Sequence, residues 1–386
     1  MDDLVETWGR SDKLNVAQPA RHQAIYYPGL DGLRFFAFVL VLLSHQYQES
    51  APPILRAAGF IGWTGVQLFF ALSSFLLTRL AVEETTRLGR VSIKKFYIRR
   101  LLRIWPLYFL YAFGYYFFYA VPHHQAMDFL PRLLGLLTFT DNLWSGILHT
   151  FNSPLAGHLW SISMEEQFYF LLPLLIPMLI PRTRKTQLIL GGSAVGFLLV
   201  LRAVASITQQ PHPFVNATPL AADSFIFGML LGLGAFDELL RRVHPLIEMI
   251  VALGLLSIVN LFPWVGLPGV GQVITYTIIA VSFTLMVDAL ANHSNRLLDV
   301  VFSNRLARYL GKVSFGLYIW HIIVLHVVAY LVQKMALPVE DQLRWWITTM
   351  STLILTALVA TASYELYEKR FLKLKARFTL VTSRPL

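Results

Sequence analysis

The chain contains no cysteine among its 386 residues, which excludes disulfides, thiolate metal sites and an acyl-cysteine intermediate. Charge is scarce too. Asp, Glu, Lys and Arg make up 14% of the chain against 56% hydrophobic residues, and mean hydropathy is +0.57. Soluble domains carry about 25% charged residues, so the composition points to a polytopic membrane protein. The net charge of +10 does not indicate nucleic acid, because the basic residues collect in short loops between apolar runs. The sequence also lacks a fixed-period repeat, a low-complexity linker and a soluble appendage. No cleavable signal is evident, since the first 25 residues are polar and mixed in charge. These features predict a polar cytoplasmic tail over 1–25, one membrane domain over 26–370 and a basic cytoplasmic tail over 371–386.

What is present is a series of apolar runs near 30–47, 60–79, 104–121, 159–180, 188–206, 220–239, 246–263, 271–290, 313–333 and 345–366. A further run, 133–150, holds Thr138, Thr140, Asp141, Asn142 and His149. Charge decides whether it crosses. With the N-terminus inside and 133–150 not crossing, 26 of the 32 Lys and Arg residues fall on the inner side. Letting it cross would put the clusters at 182–185 and 369–384 outside, against the positive-inside rule. The expected fold is therefore all-α with about ten transmembrane helices, both termini cytoplasmic, and a partly embedded, non-crossing helix near 133–150.

Polar residues gather at five places. In the first run, Arg34 and His45 are eleven residues apart, three helical turns plus about 20°, so they share a face about 16 Å apart along the axis. Ionisable groups at such depth by default face a cavity or a partner; the other reading is snorkelling of Arg34 and an interfacial His45. Arg99, Arg100 and Arg103 open the third run. They read either as a positive-inside anchor or as a guanidinium site for phosphates. At the fourth run, His158-Leu159-Trp160-Ser161-Ile162-Ser163-Met164-Glu165-Glu166 places adjacent carboxylates about 100° apart. One can face the bundle, or the segment simply caps a helix. Gly62, Gly65, Ala71, Ser73 and Ser74 read as close-packing residues. His321 and His326 lie deep in the ninth run, and Asp223 starts the sixth, where capping is its other reading.

The order of these blocks resembles the acyltransferase-3 family of membrane-bound acyltransferases over roughly 26–370. Arg34 and His45 are similar to its Arg-x10-His signature, and Gly65 to Leu76 to its second-span motif, with Ser74 where that motif usually has Gly. Arg99-Arg100-x-x-Arg103-Ile104-x-Pro106, Trp160-Ser161-Ile162-Ser163-Met164-Glu165-x-Gln167-Phe168-Tyr169 and Ser314-Phe315-Gly316-Leu317-Tyr318-Ile319-Trp320-His321 look like three further family blocks. The resemblance implies ten spans and an acyl-CoA-dependent O-acyltransferase of the bacterial inner membrane. Such an enzyme moves an acyl group, here taken as acetyl, from cytoplasmic acyl-CoA to a hydroxyl of a saccharide or other envelope acceptor on the outer side.

On that reading Arg99, Arg100 and Arg103 meet the CoA phosphates, with Arg34 further in. His45 is the general base, and by resemblance Glu165 orients it or stabilises its imidazolium. Ser73, Trp160 and His321 are the candidate oxyanion donors, Asp223 is a further substrate-side candidate, and no metal is expected. The excursion 122–158 and the loop 207–219 would shape the acceptor site. A transporter or flippase of a lipid-linked sugar is the rival reading. It predicts inverted symmetry and paired helix breaks, whereas Gly32 and Pro173/Pro177 have no corresponding positions in the other half. A catalytically dead scaffold would have lost the polar set, which is intact.

Overall fold

A computed structural model describes residues 25–46, 49–123, 125–143, 155–207, 221–261, 268–336 and 338–381. Among these residues every regular element is a helix. Each of the ten apolar runs coincides with one. Seven helices are long and apolar enough to cross a membrane: Pro28–His45, Thr64–Leu88, Gly157–Leu179, Arg184–Ile207, Val273–Ala291, Ser314–Lys334 and Asp341–Ala376. The other three runs fall short for separate reasons. Ile93–Tyr115 begins with five cations over its first eleven residues. Asp223–Leu233 and Pro245–Asn260 are shorter apolar helices.

The principal helices are numbered α1 Pro28–His45, α2 Pro53–Ile61, α3 Thr64–Leu88, α4 Ile93–Tyr115, α5 Ala126–Leu137, α6 Trp160–Leu179 and α7 Arg184–Ile207. The series continues with α8 Asp223–Leu233, α9 Pro245–Leu261, α10 Pro268–Ala291, α11 Arg305–Lys312, α12 Ser314–Lys334, α13 Asp341–Ser363 and α14 Lys369–Ala376.

The helix expected near 133–150 is displaced. It is α5, which ends at Leu137, and a second helical stretch begins at Asp141. Residues 144–150 lie outside the described residues. The break follows from local chemistry: Phe139 has φ 54°, a left-handed conformation that no helix continues through. The Arg132 guanidinium then holds Asp141 at 3.2 Å, and the Gln167 amide donates to Asn142 Oδ1 at 2.9 Å and to the Phe139 carbonyl at 2.7 Å. The excursion is thereby fastened to α6.

Helix α3 is central, packing on α1, α8 and α10. Its contact with α8 requires a missing side chain: a Cβ on Gly228 would sit 2.5 Å from the Ala71 carbonyl oxygen. Glycine plays the same part at Gly311, where a Cβ would come within 1.7 Å of the Asp31 carbonyl oxygen. That approach brings Lys312 alongside the start of α1. The outer surface is apolar, with Phe170, Leu174 and Met178 exposed at four-residue spacing on α6 and Phe197, Val200 and Val204 exposed on α7. Stripes of this kind face lipid rather than water.

Between α13 and α14 the helix passes through a π turn, Tyr364–Glu368, of the kind that re-aims side chains near functional sites. Residues 371–376, read from the sequence as the start of the basic cytoplasmic tail, continue this helix. Leu372, Lys375, Ala376 and Thr379 line the internal cavity.

Candidate functional site

That cavity has a volume of about 450 Å³ and collects side chains from α1, α3, α4, α6, α12 and α14. Five of its lining residues are cationic: Arg34, Arg100, Arg103, Lys312 and Lys375. Two acidic residues, Asp31 and Glu165, also line it. Asp31 is held locally, accepting from Arg34 at 3.0 Å and from the Tyr26 hydroxyl at 3.0 Å. The Arg100 guanidinium lies 5.7 Å from the Tyr169 ring centre, and the Lys312 ammonium 5.1 Å from that of Tyr364. Cations held by aromatic faces in a water-poor pocket are suited to a polyanion, above all phosphates.

Helix geometry explains which arginines take part. Arg99, Arg103 and Arg100 lie in that order around one arc of α4, so Arg103 shares a face with either neighbour. The fold selects Arg100. Arg99 instead turns to Glu84 at 3.1 Å and to the Phe378 carbonyl at 3.2 Å, and it does not line the cavity. The structure thus separates Arg99 from Arg100 and Arg103: Glu84, buried on α3, accepts from it.

The adjacent carboxylates separate as their 100° offset requires. Glu165 faces the cavity, where its Oε1 accepts from Ser73 at 2.5 Å and from the Tyr169 hydroxyl. Glu166 turns to α4 and accepts from the Trp105 indole at 3.2 Å. Glu165 therefore does not pair with His45, as the sequence reading expected. Ser73 on α3 and Tyr169 on α6 itself occupy that oxygen instead.

Tyr318 and Ser161 also line the cavity. Their hydroxyl oxygens are 2.6 Å apart, and the Tyr318 hydroxyl donates to the His158 carbonyl at 2.8 Å. Behind them stand three imidazoles. The His321 ring centre is 5.1 Å from His45 and 5.1 Å from His158, and the Tyr318 ring is 5.5 Å from His321 and 5.4 Å from His158. His158 and His321 are buried, whereas His45, at the last turn of α1, is exposed. A carbonyl can only accept, so backbone contacts define the proton positions on neutral rings. His45 Nδ1 donates to Val41 at 2.8 Å, leaving the Nε2 lone pair free to act as a base. His321 Nδ1 donates to Tyr318 at 2.6 Å and His158 Nε2 to Ile319 at 3.3 Å. Among the described residues their remaining nitrogens, His321 Nε2 and His158 Nδ1, are buried without a hydrogen-bond partner.

The sequence-derived set thus divides. Arg34, Arg100, Arg103, Ser73 and Glu165 line one cavity, and His45 and His321 form a cluster beyond it. Trp160 packs into the apolar core. Asp223 makes no side-chain cap; it forms a buried pair with Arg202 through bonds of 2.8 and 3.1 Å and accepts from Thr277 at 2.6 Å. It lies in neither group because an arginine buried on α7 needs a counter-charge. His158, Tyr318, Lys312 and Lys375 were missed. Tyr318 had a signal, three residues before His321 and so on its face. Lys375 had none. Residues 144–154, part of the expected excursion 122–158, and 208–220, nearly all of the expected loop 207–219, lie outside the described residues.

Comparison with known proteins adds a family and relatives. The acyltransferase-3 family model, described as an acyltransferase domain, matches residues 27–365. The chain is 27% identical over 374 residues to the O-acetyltransferase OatA of Staphylococcus aureus strain NCTC 8325 / PS 47, and equally to that of strain COL. Each match covers 89% of this chain and 57% of the relative. The chain therefore spans somewhat over half the length of the curated relatives it matches. No solved structure matches it.

Proposed function

This chain belongs to the acyltransferase-3 family, and we propose that it is an integral membrane O-acyltransferase moving an acetyl group from acyl-CoA to an acceptor hydroxyl. The acceptor is a saccharide or another hydroxyl-bearing component of the bacterial envelope. The observation that carries this reading is the placement of Tyr318, which lines the cationic cavity and packs against the histidine cluster. Donor phosphates and acceptor hydroxyl thus have separate approaches to one partition. The name O-acetyltransferase borne by the relatives supports the chemistry.

The steps follow from the groups on either side. Arg34, Arg100, Arg103, Lys312 and Lys375 bind the phosphates of CoA on the face bearing the basic loops, taken as cytoplasmic. The pantetheine arm runs past Ser73 and Glu165 and brings the thioester carbonyl to Tyr318 and Ser161. His45 Nε2 accepts the proton of the acceptor hydroxyl, whose oxygen bonds to the carbonyl carbon. The resulting oxyanion is met by hydroxyl donors at the partition. Collapse breaks the C–S bond, and the imidazolium of His45 returns its proton to the departing thiolate. His321 packs beside His45 and fixes its ring. Glu165, tied to Ser73 and Tyr169, acts in the donor channel.

Membranes carrying His45→Ala or Arg34→Ala at matched expression, supplied with radiolabelled acetyl-CoA, test this directly. His45→Ala is expected to lose roughly 100-fold or more of acceptor labelling, the usual contribution of a general base. Near-normal labelling in both variants would refute the proposal. Absence of acyl-CoA-dependent labelled product from the wild type would favour transport instead.

A further inference from the structure

A second polar cluster lies outside the cavity, where α9 runs against α10. Glu248 is in the first turn of α9, Asp288 in the last turn of α10, and His293 follows two residues after that helix. One ligating atom from each lies within 4.8 Å of the others. His293 Nε2 is 3.3 Å from Asp288 Oδ2 and 3.7 Å from Glu248 Oε1.

What distinguishes this cluster is its lack of hydrogen bonds. Glu248 is 1% exposed, yet among the described residues neither of its carboxylate oxygens has a hydrogen-bond partner, and Asp288 Oδ2 has none either. Asp288 Oδ1 alone is satisfied, by the Asn292 amide at 2.6 Å. Among the described residues no Lys or Arg forms an ion pair with either carboxylate, and His293 is the one basic group that both of them meet. Buried charges in native proteins are paired or coordinate a metal.

We propose that Glu248, Asp288 and His293 bind a divalent transition-metal ion such as Zn²⁺ or Mn²⁺. With metal–ligand bonds of about 2.0–2.2 Å, ligand atoms stand roughly 3.0–3.5 Å apart, close to the 3.3 and 3.7 Å that separate His293 from the two carboxylates. Two carboxylates and a neutral imidazole cancel the charge of a dication. The nitrogen donor favours a transition metal over Ca²⁺ or Mg²⁺, which take oxygen ligands. His293, part-exposed at the rim, provides the entry path that such a site requires. The ion would pin α9 to α10, and α10 packs on α8, α3 and α1, so the site is structural and independent of the transfer reaction.

The test uses the full-length chain in detergent, freed of any histidine tag, stripped with EDTA and titrated separately with ZnCl₂ and MnCl₂. Bound metal is measured by mass spectrometry after desalting, alongside the thermal midpoint. About one ion per chain and a raised midpoint are expected with at least one metal, and both are lost in Glu248→Gln and Asp288→Asn. Should those variants fail to fold, His293→Ala at the rim is expected to fold and to bind roughly 10-fold more weakly or worse. Wild-type protein that retains neither ion would overturn the proposal and identify a carboxyl pair sharing a proton. Equal retention by His293→Ala would overturn it as well.

Discussion

The hydroxyl of Tyr318 stands 2.6 Å from that of Ser161, with cationic cavity on one side and buried histidines on the other. Removing that hydroxyl in Tyr318→Phe leaves the ring, and so the partition, in place. It removes the shorter of two hydrogen bonds to the His158 carbonyl and leaves Ser161 Oγ at 3.2 Å as its donor, a loss of about 0.5–1.5 kcal/mol. Acetyl transfer is expected to fall at least ~10-fold in kcat with little change in donor KM. Donor-concentration series on matched membranes check this, and an unchanged kcat would remove Tyr318 from the reaction path.

The arginines of α4 are expected to behave differently from one another. Arg100→Ala and Arg103→Ala should raise the KM for acetyl-CoA about 10-fold each, the loss of roughly one charge-assisted contact. Arg99→Ala should leave that KM near wild type and lower the melting temperature, since it strands the buried Glu84. Equal KM effects from all three would contradict the selection of Arg100 by the fold.

His45 and His321 are separable by stability. His45 is exposed and His321 fully buried. His45→Gln should abolish transfer while melting like the wild type. His321→Ala should lose about 2–4 kcal/mol of stability through the cavity it leaves and so melt at a lower temperature. Thermal unfolding in detergent beside the labelling assay measures both, and a destabilised His45→Gln would mean that its role is structural.

The Arg202–Asp223 pair, buried at 5% and 0% side-chain exposure, is predicted to be structural. Asp223→Ala alone leaves an uncompensated guanidinium and should cost about 3–5 kcal/mol. The paired change Arg202→Met with Asp223→Leu should recover most of that loss. Donor KM should stay constant in every variant that folds. A several-fold KM change in the double variant would bring Asp223 back into the substrate site.

Much of the site was legible before any coordinates. Arg34 stood out because charge at membrane depth has few innocent explanations, and helical periodicity put Arg103 and Glu165 on usable faces; Ser73 read as a close-packing residue and entered only as a candidate oxyanion donor. What periodicity leaves undecided is which of two near-equivalent neighbours turns inward. Arg99 and Arg100 flank Arg103 on the same arc, and Glu165 and Glu166 differ by 100°. The missed residues share another cause. Lys375 comes from a basic segment with no signal of its own, and it reaches the cavity only because the π turn at Tyr364–Glu368 re-aims the last helix.

By itself the sequence determined the membrane class, the helical runs and the set of polar residues, because hydropathy and the 3.6-residue period are local properties of the chain. Partnership was decided only in three dimensions. Ser73 rather than His45 takes Glu165, Glu84 takes Arg99, and Arg202 takes Asp223. Each choice depends on how closely two distant helices approach. In water-poor packing the nearest complementary group claims a buried charge, whatever its distance along the chain.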